Sequence, residues 1–373
     1  MDIYHYYKEL LKLRQSYTHE FNINPVTSVI KDNYIVEREL LRKNLYNNIL
    51  EWLKKYLQPY LKNQNSKSKT KWTDKEINHL LLRYIFNKII TRTDEDDPIF
   101  IYKESEIAKE QLKADSQFSN LQFDHLTLMK LLDEELKKAH DTLKSAFVAE
   151  DSEVILANDK ISYKGQLYND ISKLATKNPE YKSYALALNI RYNYIHLENH
   201  GLAREYEKMG FSSGDACECF ASAFNHYFDT YCSAFPDLER PFGSIGSFFN
   251  QNLDSWNKYI VFVNPPFDES LMNNMFERVI GFMEEANRRR LESVEDTTGK
   301  LMSYDHQYVL TVPFWDDWVG LNRMKENKWV YMTAFFKKNE LPFINYMEED
   351  NRKLYPSDIN ELYCSTPKFD NIN

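Results

Sequence analysis

The sequence predicts an α/β protein in which a parallel or mixed sheet, buried on both faces, follows a mainly helical domain. Three observations carry that expectation. Short apolar segments with little polar alternation recur after residue 150, which is how strands covered on both sides read. A long amphipathic helix separates two of them, as a parallel crossover requires. Before residue 150, apolar side chains return instead at three- and four-residue steps, the helical period. A chain of 373 residues is longer than one core usually serves. The expected division is a helical domain over 1–150, shaping a substrate groove, and a second domain over 151–373 that carries the chemistry.

The first element expected is an amphipathic helix in "MDIYHYYKELLKLRQ", charged throughout and so unlike a signal peptide. "IVERELLRKNLYNNILEWLKKYL" (35–57) and "TDKEINHLLLRYIFNKII" (73–90) follow as helices, the second opened by a Thr73/Glu76 capping box. The polar, basic "NQNSKSKTK" (63–71) between them reads as a loop. A third helix spans 124–147, with Asp124 as its cap. "EVILANDKISYKGQLY" (153–168) reads as a hairpin turning at Asn158-Asp159, and 184–210 as a helix broken near Gly201. Four strands are expected at 215–222, 259–263, 307–315 and 328–336, with a helix over 270–290 capped by Asp268.

Bulk properties narrow the function. The formal net charge is −9, so a protein that coats long nucleic acid is excluded, and any nucleic-acid substrate is short or held in a local basic cleft. Nine glycines leave little for a glycine-rich phosphate loop. Cys217, Cys219, Cys232 and Cys364 follow neither a disulfide framework nor a zinc spacing, which suits a reducing compartment. No apolar run approaches the length of a membrane span. The expected protein is soluble and intracellular, with no membrane partner and no metal.

"YIVFVNPPFDES" (259–270) carries the chemistry. Its prolines fix φ for two residues and hold those before them extended. If Asn264 lies just past a central strand, its side-chain oxygen and the Pro265 carbonyl converge on one point, as an NH2 group requires. Phe267 adds a flat face for a base. Accepting both N–H bonds of an exocyclic amine frees its lone pair to attack a sulfonium methyl. The charge that develops on nitrogen makes these acceptors stabilise the transition state more than the ground state. A plain turn is the competing reading, and placement between a buried strand and an amphipathic helix favours the functional one.

"ECFASAFNHYFDTYCSAFPDLERPFGSIGSF" (218–248), followed by "NPPF" (264–267), resembles the cap-specific adenosine N6-methyltransferases, the phosphorylated C-terminal-domain interacting factor family. The resemblance spans about 185–345 and includes "RY" (191–192), "TVPFW" (311–315) and "LNRM" (321–324). It implies a Rossmann-like methyltransferase domain, S-adenosyl-L-methionine as cofactor, and the 2′-O-methyladenosine at the capped mRNA 5′ end as substrate. By position, Asn264, Pro265, Pro266 and Phe267 become the catalytic motif. Glu218, Phe220, Ala221, Ser222 and Asn225 fall where the first strand and its loop meet the cofactor. Asp237, Gly243, Ser244, Ile245 and Gly246 form a second cofactor-facing segment, and either Asp237 or Glu218 can bind the ribose hydroxyls or the amino group. Three departures stand out: Ala223 replaces the usual Pro, the segment after Leu341 lacks the family's basic and histidine residues, and the chain past Cys364 leaves little room for a full last strand. No WW module is expected. Without the resemblance, the same geometry serves adenine in DNA or internal RNA, or a protein glutamine. A non-catalytic RNA-binding scaffold is a further alternative, which the intact motif disfavours.

Other signals read as structure. "HLENH" (196–200) sets two histidines at a zinc-pair spacing but offers no third ligand. "TDEDDP" (93–98) is a solvated turn, Cys217 and Cys219 pack on one strand face, and "RRR" (288–290) suits a helix C-terminus.

Overall fold

The computed structural model describes residues 33–62, 73–93, 96–105, 108, 124–157, 160–168, 172–196, 200–256, 260–292, 306–316, 318–337, 340–341, 343–345, 353–354 and 358–364. The N-terminal helix, the basic loop 63–71 and the turn at Asn158-Asp159 lie outside them. Two compact units contain the described residues, 33–196 and 200–364. No helix among them is long and apolar enough to cross a membrane.

The first unit holds α1 (Ile35–Lys62), α2 (Asp74–Ile89), α3 (His125–Ser145), the strands β1 (Ile155–Ala157), β2 (Lys160–Tyr163) and β3 (Gln166–Tyr168), then α4 (Ser172–Lys177) and α5 (Lys182–Ile195). It therefore extends past residue 150. Local chemistry starts two of the helices. The Thr73/Glu76 capping box opens α2, and the Asp124 carboxylate accepts from the Leu126 amide at 3.0 Å at the head of α3. The cap of α1 is distant: Asp151 accepts from the amides of Val36 at 3.1 Å and Glu37 at 2.9 Å. A buried ion network ties α1 to α5. Glu39 accepts from Arg191 Nε at 2.9 Å and from the Tyr194 phenol at 2.9 Å, and it pairs with Arg42, which reaches Asp97 at 3.0 Å. Asp97 is thus buried in this network rather than solvated. Burial alone raises its carboxyl, but Arg42 and the Phe100 and Ile99 amides hold it below the usual range.

The helix expected over 184–210 ends at Ile195, because His196 turns into the left-handed region at φ 53° and closes α5. The two histidines of "HLENH" therefore share no helix face: His200 lies in β4 (His200–Gly201).

The second unit continues with α6 (Ala203–Met209), β5 (Ala216–Ala221), β6 (Thr230–Ser233), α7 (Pro236–Glu239), β7 (Ile260–Val263), α8 (Glu269–Glu292), β8 (Gln307–Pro313), α9 (Val319–Lys325), β9 (Val330–Phe336), β10 (Phe343–Asn345), β11 (Lys353–Leu354) and β12 (Ile359–Cys364). Six strands form one sheet in the order β6-β5-β7-β8-β12-β9. The first four pair in parallel, and β12 runs antiparallel between β8 and β9. The fold is α/β with a mixed, mostly parallel sheet, Rossmann-like as expected. Against the sequence reading, the last strand is complete, with all six residues of β12 paired to β8.

Alternate strand residues face two cores, which is why these strands read as unbroken apolar runs. Cys217, Cys219, Val261, Val263, Leu310 and Leu362 pack with Met272, Phe276, Val279 and Met283 of α8. Ala216, Ile260, Phe262, Val309 and Tyr363 pack with Leu202, Tyr206 and Met209 on the other side.

Candidate active site

From β5 the chain passes to β6 on one side, then returns to β7 on the other. The order reverses between β5 and β7, and open α/β sheets bind ligands beyond the carboxyl ends at such a point. Two segments lie there: the turn Ser222–Asn225 after β5, and Asn264-Pro265-Pro266-Phe267 after β7.

Asn264 uses only one end of its amide. Nδ2 donates to the Tyr206 phenol oxygen at 2.6 Å, while Oδ1 is buried with no hydrogen-bond partner. An unpaired buried acceptor costs about 1–3 kcal/mol, and native structures keep few of them. The rest of the motif is rigid. Pro265 is buried and Pro266 exposed. The Pro266 carbonyl accepts from the Asp268 amide at 2.8 Å. Asp268 then caps α8 by accepting from Leu271 N at 2.9 Å, as the sequence suggested. Phe267 is half-buried and meets Trp315 edge-on, the ring centroids 6.4 Å apart at 86°. A bound amine beside Oδ1 would thus have an aromatic wall nearby.

The turn after β5 is stapled by side chains. Asn225 Oδ1 accepts from Ser222 N at 2.7 Å and Ser222 Oγ at 3.0 Å. The fully buried Glu239 accepts from Ala223 N at 2.8 Å. Ala221 pairs with Ser233 across β5 and β6, and Phe220 packs on Phe248 with centroids 5.1 Å apart. Glu218 is buried, and its Oε2 accepts from the amides of Tyr227 at 2.7 Å and Phe228 at 3.4 Å. Burial pushes this carboxyl up to about 7, although the two amides pull it down.

Gly243, Ser244, Ile245 and Gly246 lie along the outer edge of β6. Ile245 N donates to Tyr231 O at 2.9 Å, Ser233 N donates to Gly246 O at 3.0 Å, and the Ser233 and Ser244 hydroxyls are 2.6 Å apart. Gly243 needs its lack of a side chain: φ is +106°, and a Cβ would stand 2.7 Å from the Asp229 carbonyl oxygen. Asp237 is exposed in the first turn of α7, just beyond β6.

A nucleoside cofactor with an ammonium group requires a carboxylate and backbone donors beyond β5 and β6. Asp237 is the exposed carboxylate there; the amides of the 222–225 turn are all engaged within the protein, and the buried Glu218 is engaged by two amides. No local pattern marks Tyr206, which pairs with Asn264 across 58 positions, or Glu239. Trp315 was visible only inside the "TVPFW" resemblance. Arg288 and Arg289, at the end of α8, are ion-paired with Glu285, Glu292 and Asp254.

The family model described as "Phosphorylated CTD interacting factor 1 WW domain" matches residues 165–345. This stretch, just under half of the chain, is similar to the phosphorylated CTD interacting factor family. Its description names a WW domain, which disputes the expectation that the chain is without one. Within the match lie β5 to β8 and the Asn264 motif. The Homo sapiens mRNA (2'-O-methyladenosine-N(6)-)-methyltransferase is 46% identical over 70 residues, 18% of this chain and 10% of its own length. The Mus musculus protein of the same name is 44% identical over 70 residues, with the same shares. The match thus spans about a tenth of the length of the curated relatives.

Proposed function

We propose that this chain is an S-adenosyl-L-methionine-dependent N6-methyltransferase acting on the cap-adjacent 2′-O-methyladenosine of mRNA, with its chemistry in the second unit. The observation that carries the reading is the buried, unpaired Oδ1 of Asn264 at the carboxyl end of β7. An acceptor held empty there suits a ligand that brings N–H donors. The names of the two relatives matched over 70 residues support the substrate class.

Asn264 Oδ1 accepts one N–H of the adenine amine, and the Pro265 carbonyl accepts the other. Together they draw the nitrogen out of conjugation. Phe267 holds the base against its ring, with Trp315 behind it. Asp237 accepts from the ribose hydroxyls, while the 222–225 turn and the Gly243–Gly246 edge, each held by its own hydrogen bonds, shape the wall against which the cofactor lies. When bound, S-adenosyl-L-methionine supplies an electrophilic methyl on sulfonium. Fixing the amine in line with it contributes through orientation, and the two oxygens stabilise the charge that builds on nitrogen.

Incubation with cofactor and a short capped oligonucleotide beginning with 2′-O-methyladenosine, read by mass spectrometry, tests this. One added methyl on the adenine, absent from an uncapped control, is expected. Equal methylation of uncapped RNA or DNA would move the assignment to an internal adenine, and none with any amine would remove it.

A further inference from the structure

We propose that Tyr206 is a positioning residue for methyl transfer, acting through the Asn264 amide; this rests on the reading of Asn264 given above. The Tyr206 phenol oxygen lies 2.6 Å from Asn264 Nδ2, and Tyr206 itself is only 2% exposed. Its ring is wedged among Phe262, Phe228 and Tyr227, with centroids 4.6, 5.1 and 5.8 Å away. The backbone is equally constrained. Tyr206 sits in the last turn of α6, where Gly210 adopts φ +89° and the Phe211 amide donates back to the Tyr206 carbonyl at 3.0 Å. This is a left-handed helix stop, and Phe211 packs on Tyr206 with centroids 6.5 Å apart. The phenol therefore stands at a fixed place beside the amide.

That placement has two consequences. An amide is nearly symmetric in shape, so Asn264 can present either oxygen or NH2 to a ligand. In the structure the phenol accepts from Nδ2, and Oδ1 is the end left for a ligand. The second consequence is electronic. As positive charge grows on the target nitrogen, Oδ1 carries more negative charge and the Nδ2 hydrogens become more acidic. The Nδ2–Tyr206 bond then strengthens in the transition state, because linked hydrogen bonds polarise one another. An interaction that strengthens in the transition state acts on kcat rather than on KM.

The test compares Tyr206→Phe, Asn264→Ala, the double variant and Tyr227→Phe in full-length protein. Tyr227 is the control, because its phenol belongs to the same aromatic cluster but donates to the Phe211 carbonyl at 2.6 Å. Tyr206→Phe should lower kcat about ten-fold while leaving KM for cofactor and Tm near the wild-type values. The double variant should be no slower than Asn264→Ala, and Tyr227→Phe should keep its kcat. Wild-type turnover with Tyr206→Phe unchanged, or a Tyr227→Phe loss of equal size, would overturn the positioning role alone. A wild-type chain that methylates no amine would overturn the reading of Asn264, and the role of Tyr206 with it.

Discussion

Under the proposed function, Asn264 would couple stability and activity in one side chain. The unpaired Oδ1 costs the resting protein free energy that a bound amine would return. Asn264→Ala removes both the orphaned acceptor and the bond to Tyr206, so thermal stability should change little. Losing a hydrogen bond to a developing charge costs about 1.5–3 kcal/mol, so turnover should fall at least roughly ten- to hundred-fold, with cofactor affinity by calorimetry unchanged. Glu218 makes a pH prediction. Its folded-state carboxyl is raised from 4.5 to about 7 by burial. The folded protein therefore holds a proton that the unfolded chain gives up. This contribution is present in full below pH 4.5 and is lost as pH rises through 7, about 3 kcal/mol in all. Glu218→Gln, which keeps an acceptor for the Tyr227 amide, should flatten the fall of Tm across that window. Gly243→Ala should destabilise by about 1–3 kcal/mol in urea unfolding, since it combines a left-handed φ with a close carbonyl.

At the scale of elements, what could be read from sequence depended on whether the signal was local. The strands β5, β7 and β8 showed themselves because their largely apolar runs are buried on both faces, while β9, half-exposed at the sheet edge, showed itself by its run of apolar and aromatic residues alone. Asp124, Asp268 and the Thr73/Glu76 pair announced helix starts because caps act within a turn. β6 did not announce itself, since "TYCS" is four residues with no period. β12 was missed because "INELYC" carries Asn and Glu, polar residues that speak against an interior strand. Glu361 is nevertheless buried there, accepting from the Tyr363 phenol at 2.6 Å. The stop of α5 and the cap of α1 by Asp151 were equally hidden, one depending on a backbone conformation and the other on a partner more than a hundred positions away. In the site, the motif could be read but its anchor could not: Asn264 is a local word, Tyr206 a tertiary one. Asp151→Ala should cost about 0.5–2 kcal/mol of unfolding free energy, and far-UV circular dichroism on denaturant titration would measure it.

Across the whole molecule, two kinds of buried chemistry stand apart from the site. The four cysteines are buried and none forms a disulfide. Burial pushes the Cys219 thiol up to about 11 and the Cys232 and Cys364 thiols well above the ordinary range. The native protein should therefore resist a thiol reagent that labels all four after denaturation, and quantified labelling by mass spectrometry checks this. Glu39, Arg42, Asp97 and Arg191 form the other. Arg191→Met would leave Glu39 short of its fully buried partner, a change that typically costs 3–5 kcal/mol. The antiparallel insertion of β12 has a consequence for how such a sheet is made. Among the described residues β9 has no sheet neighbour but β12, so on a growing polypeptide it leaves the ribosome as an open ribbon edge. The sheet can take it up only once residues 359–364 have emerged, so β9 waits, unpaired, for a strand that is synthesised after it.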